Sequence, residues 1–412
     1  MRRKSPLLGA LLAGLTAFSL ACTRHLSEES GVALVVSEDP ELRRLAAELL
    51  PELATRSGLE LTAPVRVARR SRPELMRYLR IQLDEELPPD EAAAIAQSYS
   101  LLGLIPEGTD LRELMLSVYT EQISGFYDPD STALFVMDDQ PAEDLRTVLV
   151  HELVHAVQDQ AANLDSLTSR ERGNDRQTAA LAAIEGHATL VMFEYVTSQL
   201  RGGSVDLSEI PDFAARIRPA LQGMRTQYPV LADAPLVIQE AILFPYLEGT
   251  AFIQRLWEDM DGRPSPLTEL LPLSTEQVTA GGPLAPGARD EPVELHLVGE
   301  RAVRYTNTLG AMETAVLLQE LVDADAAEAA RGWGGDRYAL VDTPNGPALA
   351  WWIVWDDQVA RDRFMATLGP ALGQLPEPAR VAAGEVDGLP ATLLEIGRPG
   401  EVTAHVTGPV MP

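Results

Sequence analysis

Between residues 147 and 160 the chain reads TVLVHELVHAVQDQ, which places two of its six histidines four residues apart in an apolar run, with a glutamate beside the first. Residues four apart on a helix share one face about 6 Å along the axis, so the imidazoles of His151 and His155 can reach a single ion. Glu152 is offset by one position, close enough to serve a water molecule at that ion without being a ligand. Two neutral nitrogen donors and an adjacent carboxylate base are the equipment of zinc-assisted hydrolysis, and one zinc ion per chain is the expected cofactor. Such an ion would lower the pKa of a water it binds toward about 7 and polarise a scissile carbonyl. Glu152 would take the water's proton and pass it to the leaving amine. The bland alternative is a pair of satisfied core histidines.

A catalytic zinc takes three protein ligands and keeps one position open. The metzincin pattern would need glycine at 158 and histidine at 161, where this chain has Gln158 and Ala161. The remaining solution draws a carboxylate from a later helix, and the next apolar segment contains AAIEGHATL. Glu185 sits there among Leu181, Ile184 and Ala188, where an unpaired charge is expensive. Gly186 costs a helix interior about 1 kcal/mol relative to alanine, which makes sense if another backbone or an ion approaches closely. A solvated stripe is the alternative reading of Glu185. His187 competes as a ligand but points about 200° away from Glu185, which makes it a polar neighbour. For the oxyanion that hydrolysis creates, Tyr246 in FPYLEGTAF is the candidate donor, with Pro245 bending the backbone to aim the phenol. A core tyrosine at a helix start is the other reading. Tyr127 in GFYDP is a weaker candidate, placed just before an expected edge strand. Asp159 continues the stripe of the two histidines and either orients a ligand imidazole or ends the helix.

These residues need elements to position them. Leu42, Leu45, Leu49, Leu50 and Leu53 recur at helical spacing, 61–71 reads as a strand, and helices follow from Pro73, over 89–100 and from Leu111. FYDPDS is expected to turn into a strand at 132–139. Pro141 then opens the helix that carries the histidines, with Asp138 or Asp139 as its cap. Apolar helices are expected over 177–200 and 236–260, the latter bent or restarted at Pro245. The Gly/Pro/Ala-rich run 279–292 is the linker candidate. Beyond it, a helix at 308–330, two strands joined at Asn345-Gly346, a helix at 357–373 and a closing strand pair, ATLLEIG with VTAHVTG, form a second α+β unit. GWGGD is expected to be a turn, and the tryptophans of ALAWWIVW to fill a core rather than line a ligand site.

The 412 residues are 46% apolar and 23% charged, enough to bury a sizeable core. The formal charge of −28 repels phosphate backbones, so no nucleic-acid partner is expected. MRRKSPLLGALLAGLTAFSLAC has a basic start, an uncharged apolar stretch and a cysteine where cleavage would fall, as in an exported protein. Losing Arg2, Arg3 and Lys4 with that segment takes the charge to −31. Cys22 is the sole cysteine, so no disulfide is available. No other segment reads as apolar enough to span a bilayer. The expected organisation is a signal segment at 1–22, a tether at 23–37, a catalytic unit at 38–282 (an N-terminal subregion at 38–115, active-site helices at 116–282) and a C-terminal α+β unit at 290–412.

Several of these stretches resemble known proteins. Residues 1–22 resemble the lipobox of bacterial lipoproteins, which implies membrane attachment through a lipidated Cys22 in the cell envelope. HELVHAVQD resembles the H-E-L-T-H-A-V-x-D helix of thermolysin-like enzymes, and HELVH followed by EGHA resembles the gluzincins generally. That resemblance implies a zincin-like α+β domain, a small mixed sheet with active-site helices, acting on a peptide or protein substrate. It assigns His151, His155 and Glu185 to zinc and the role of base to Glu152. The chain departs from the pattern in the 29 residues between His155 and Glu185, an insertion at LDSLTSRERGNDR, and in Thr189, where thermolysin-like enzymes carry an aspartate. GFYDPDSTALFV, ALAAIEGHATL, FPYLEGTAF, LPLSTEQV and GWGGDRYAL resemble a family of uncharacterised exported bacterial HExxH proteins. Two other functions fit these residues: a non-catalytic envelope binding or assembly protein on the same scaffold, and a zinc amidase acting on a cell-wall amide.

Overall fold

The computed structural model describes residues 34–211, 213–223, 227–280, 289–322 and 326–407. The signal segment, Cys22, most of the tether and the centre of the linker lie outside these residues.

The first helix, α1 (Pro40–Ser57), starts where Asp39 accepts hydrogen bonds from the Glu41 and Leu42 amides and ends at Gly58 in the left-handed region, φ 68°. The five leucines of its stripe are buried. A short β1 (Val35–Val36) precedes it, and β2 (Val65–Arg70), α2 (Arg72–Glu86), α3 (Pro89–Leu101) and α4 (Leu111–Gln122) follow. The chain then makes a hairpin of β3 (Gly125–Asp128) and β4 (Ala133–Met137). The stretch expected as a turn is therefore half strand, and the reversal falls on Pro129–Thr132, with Thr132 at φ 49°. The sheet order is β1-β2-β4-β3, parallel except for β3, which runs antiparallel at one edge.

Helix α5 (Ala142–Ala161) begins after Pro141, which holds the cap position with no side-chain bond. The aspartates expected to cap it are engaged elsewhere: Asp139 pairs with Arg72 at 2.9 Å, and Asp138 continues the backbone pairing to Arg70. A short α6 (Leu164–Leu167) leads to α7 (Asn174–Arg201), and α8 (Phe213–Gly223) and α9 (Pro229–Asp233) to α10 (Leu236–Asp259). Helix α10 is continuous across Pro245 rather than restarted there. Both α7 and α10 are long and apolar enough to cross a membrane, contrary to the sequence reading, but 83% and 67% of their apolar windows are buried within the protein. They serve as core helices and cross at Gly186 and Gly249.

After α11 (Thr275–Ala280) come β5 (Leu295–Gly299), β6 (Val303–Asn307), α12 (Gly310–Val322), α13 (Ala326–Ala330), β7 (Trp333–Thr343), β8 (Gly346–Trp355), α14 (Gln358–Leu368), β9 (Ala379–Val386), β10 (Leu389–Ile396) and β11 (Val402–Val406). An antiparallel sheet in the order β6-β7-β8-β10-β9 forms the C-terminal unit. The segment expected to turn at GWGGD begins β7, where a register shift between Trp333 and Gly335 absorbs the glycines. The expected pairing of β10 with β11 does not form: β10 pairs with β8 and β9, and β11 with β5. Of the tryptophans of ALAWWIVW, Trp351 and Trp355 are buried as expected of core residues, while Trp352 is half-buried and donates to the Val402 carbonyl; Trp333, expected in a turn, is buried as well. One contiguous apolar cluster runs from Val35 to Ile396, so the N- and C-terminal parts share a core.

Candidate metal centre

Helix α5 is buried on nearly every side over 148–158, which fixes His151, Glu152 and His155 in the interior. Glu185 comes from the middle of α7. Its position depends on the helix crossing beside it, where a Cβ on Gly186 would lie 2.0 Å from the Gly249 carbonyl carbon. The close approach anticipated at Gly186 is thus made by a second backbone.

His151 Nε2 stands 3.1 Å from Glu185 Oε2 and 3.1 Å from His155 Nε2, and His155 Nε2 stands 3.4 Å from Glu185 Oε2. Donors held at zinc–ligand distances round a tetrahedral ion are about 3.3 Å apart, so these three atoms form one face of such a tetrahedron. These three residues could hold a metal ion, and all are buried. Without the ion, burial opposes charge on both His155 and Glu185, yet their mutual attraction wins. His155 is held up at about 9, and Glu185 is held down at about 2.

Glu152 is fully buried, and neither carboxyl oxygen makes a well-formed hydrogen bond, the Tyr127 backbone amide being only a weak donor to it. Burial pushes its pKa up to about 8; His155 opposes this, the Glu185 charge adds to it, and the Tyr127 backbone amide opposes it. Strand β3 lies directly against this carboxylate, since a Cβ on Gly125 would come within 3.3 Å of Glu152 Cγ and 2.7 Å of Val148 Cγ1. Gln122, three residues before Gly125, is 2% exposed with neither amide atom partnered.

Tyr246 is brought to the site, its ring centroid 6.1 Å from that of His151. Tyr127 is committed elsewhere, donating its hydroxyl to Asp159 at 2.9 Å. Asp159 also accepts the Leu164 amide, so it closes the end of α5. The ring of His155 is met instead by Gln158, 2.7 Å from Nδ1. In the sequence Gln158 serves only to exclude the metzincin pattern; its spacing of three from His155 is the one signal of this contact. His187 is not a ligand. It lies behind Gln158, 3.0 Å from Nε2, edge-on to Trp257, and burial lowers its pKa to about 4. Thr189 Oγ1 and His151 Nδ1 are buried without partners.

A cavity of about 280 Å³ opens at the far, N-terminal end of α7, lined by Arg172, Asp175, Arg176, Asp336 and Arg337 among others, away from these donors.

Among known proteins, a family described as a domain of unknown function (DUF8575) matches residues 298–392, a span that takes in most of the C-terminal sheet and none of the donor residues. No curated protein and no solved structure matches the chain.

Proposed function

We propose that this chain is a zinc-dependent metallopeptidase of the gluzincin type, exported and anchored through a lipidated Cys22. His151, His155 and Glu185 hold the ion and Glu152 is the general base. One observation carries the reading: a buried carboxyl group with no well-formed hydrogen bond stands beside three donors arranged as a tetrahedral face. A carboxyl so buried is costly for a fold to maintain, and a structural metal has no need of it.

When bound, zinc supplies Lewis-acid chemistry, polarising a carbonyl and making water acidic. Glu152 holds the proton taken from the attacking water and returns it to the leaving nitrogen. Its raised pKa suits that exchange, because a nearby divalent charge would draw it down toward neutrality. Tyr246, alongside His151, is the candidate donor to the developing oxyanion. The antiparallel edge strand β3, packed on Glu152 and itself buried, gives an extended peptide a place to pair once the covering elements move apart.

The second reading, a binding or assembly protein with a structural metal, is favoured by the burial of the site: His151, Glu152, His155 and Glu185 are 1%, 0%, 1% and 3% exposed. Hydrolysis therefore requires the covering elements to move apart. Zinc content and hydrolysis of an unfolded protein, measured on wild type and Glu152→Gln, separate the two readings. The peptidase reading expects one zinc in each protein and a loss of about 10²-fold or more in hydrolysis for the variant. Equal hydrolysis by both proteins would remove Glu152 from the role of base, and zinc with no hydrolysis by wild type would favour the structural reading.

A further inference from the structure

We propose that Gln158 is the positioning residue of the metal centre: its side-chain amide fixes which nitrogen of His155 faces the ion and ties together the two helices that supply the donors. The proposal rests on the metal reading above and adds a hydrogen-bond relay to it.

The relay can be read atom by atom because one of its members has no choice of role. The Ile184 carbonyl oxygen only accepts, and it lies 2.9 Å from one end of the Gln158 amide, so that end is the NH2 group. The other end is then the oxygen, 2.7 Å from His155 Nδ1, and Nδ1 must carry the proton. Once the ring is neutral, this leaves its lone pair on Nε2, the atom beside His151 Nε2 and Glu185 Oε2. The second amide hydrogen of Gln158 points to His187 Nδ1 at 3.0 Å, which therefore accepts. The proton of His187 sits on Nε2, donated to the Ser57 carbonyl at 3.0 Å.

Each member is buried: Gln158, His187 and Ser57 at 0% and His155 at 1% exposed. Inverting the amide would set oxygen against oxygen at Ile184, and would move the His187 proton to Nδ1, leaving a bare Nε2 against the Ser57 carbonyl oxygen. In a buried site such mismatches cost about 1–3 kcal/mol each, so one arrangement dominates. The placement also matters. Ile184 is the residue before Glu185 on α7, whereas Gln158 and His155 are on α5. A single amide thereby sets the ring of one donor and the backbone next to another. The relay ends on Ser57, the last residue of α1, whose carbonyl has no partner within its own helix. Partners of this kind typically contribute 10–100-fold to metal affinity.

The first test needs neither metal nor mutation. Nitrogen-15 NMR of the histidine rings in the metal-free protein should show an exchange-protected proton on His155 Nδ1, and His187 protonated on Nε2 and not on Nδ1. A proton on His187 Nδ1, or a His155 ring protonated on Nε2 alone, overturns the relay. The second test is zinc affinity by chelator competition in Gln158→Leu, which keeps the bulk and removes the amide. A 10–100-fold loss is expected, with a smaller loss for His187→Leu, where the His155 bond survives. A change below threefold in Gln158→Leu, in a protein that still folds, overturns the positioning role. If wild type binds no zinc, the metal reading fails, while the NMR result still decides the relay.

Discussion

Gly186 and Gly249 meet backbone to backbone: a Cβ on Gly186 would fall 2.0 Å from the carbonyl carbon of Gly249, and one on Gly249 would fall 2.1 Å from the carbonyl oxygen of Ala182. No rotamer relieves such a contact, because neither partner is a flexible side chain. Glu185, the candidate metal ligand, is the residue before Gly186, so the crossing of α7 and α10 sets where its carboxylate lies. Alanine at either glycine should cost about 1–3 kcal/mol or more. It should also weaken zinc binding at least tenfold, read by thermal melting and chelator competition. Gly203→Ala, where no atom lies within 4 Å of the added carbon, serves as the control and should leave both unchanged.

Zinc affinity should rise with pH. In the metal-free protein the attraction of Glu185 overcomes burial and holds the His155 proton up to about 9. An ion must displace that proton, so affinity should climb by up to about tenfold per pH unit from pH 6 and level off near 9. Chelator competition across pH 6–10 measures the slope. A flat profile would show that His155 is already neutral before the metal arrives. Glu185→Gln, which removes the charge that retains the proton, should weaken binding and flatten the profile together.

Tyr246→Phe should separate binding from chemistry. The tyrosine ring lies 6.1 Å from His151, so the variant keeps the packing and removes only the hydroxyl. If the phenol donates to the oxyanion, kcat should fall about 10²-fold, with KM and zinc content little changed. Unchanged kcat would return Tyr246 to the role of a core tyrosine.

Much of the helical frame was legible in the sequence because period 3.6 is a local property. Leu42 to Leu53 define α1 without reference to any other segment. The cluster of His151, His155 and Glu185 was legible for a different reason: these are polar groups in apolar runs, and only a ligand or a partner makes that tolerable. Gln158 escaped because a glutamine near a helix end ordinarily faces water. Its burial is set by Ile184 and His187 from α7, at a distance along the chain that no local pattern reports. The pairing of β10 failed for the same kind of reason. Its partners β8 and β9 are chosen by register across the sheet, whereas proximity in sequence favoured β11. Helix α10 runs through Pro245 because packing against α7 outweighs the lost backbone bond, a tertiary effect that propensity does not contain.

The junction between the two parts of the chain should respond to pH through Glu313. This residue of α12 accepts the Tyr99 hydroxyl at 2.7 Å and the Asn174 amide at 2.9 Å. Burial pushes its carboxyl up to about 8, Asn174 and Tyr99 pull it down, and Asp336 and Asp175 push it further up. Its ordinary value is 4.5, so between 4.5 and about 8 the folded protein holds a proton that the unfolded chain has released. Stability from this group is therefore full below about 4.5 and falls as pH rises toward 8, by at most about 1.4 kcal/mol per pH unit. Glu313→Gln cannot ionise and still offers an oxygen to Tyr99 and Asn174. Asp175 and Asp336, themselves raised by burial to about 7 and about 6, act in the same direction but remain in both proteins. The melting temperature of the variant relative to wild type should therefore increase from pH 5 to pH 8 and then level off. A difference that stays constant over that range would mean that Glu313 is already ionised in the folded protein at pH 5, with Tyr99 and Asn174 sufficient to hold its charge.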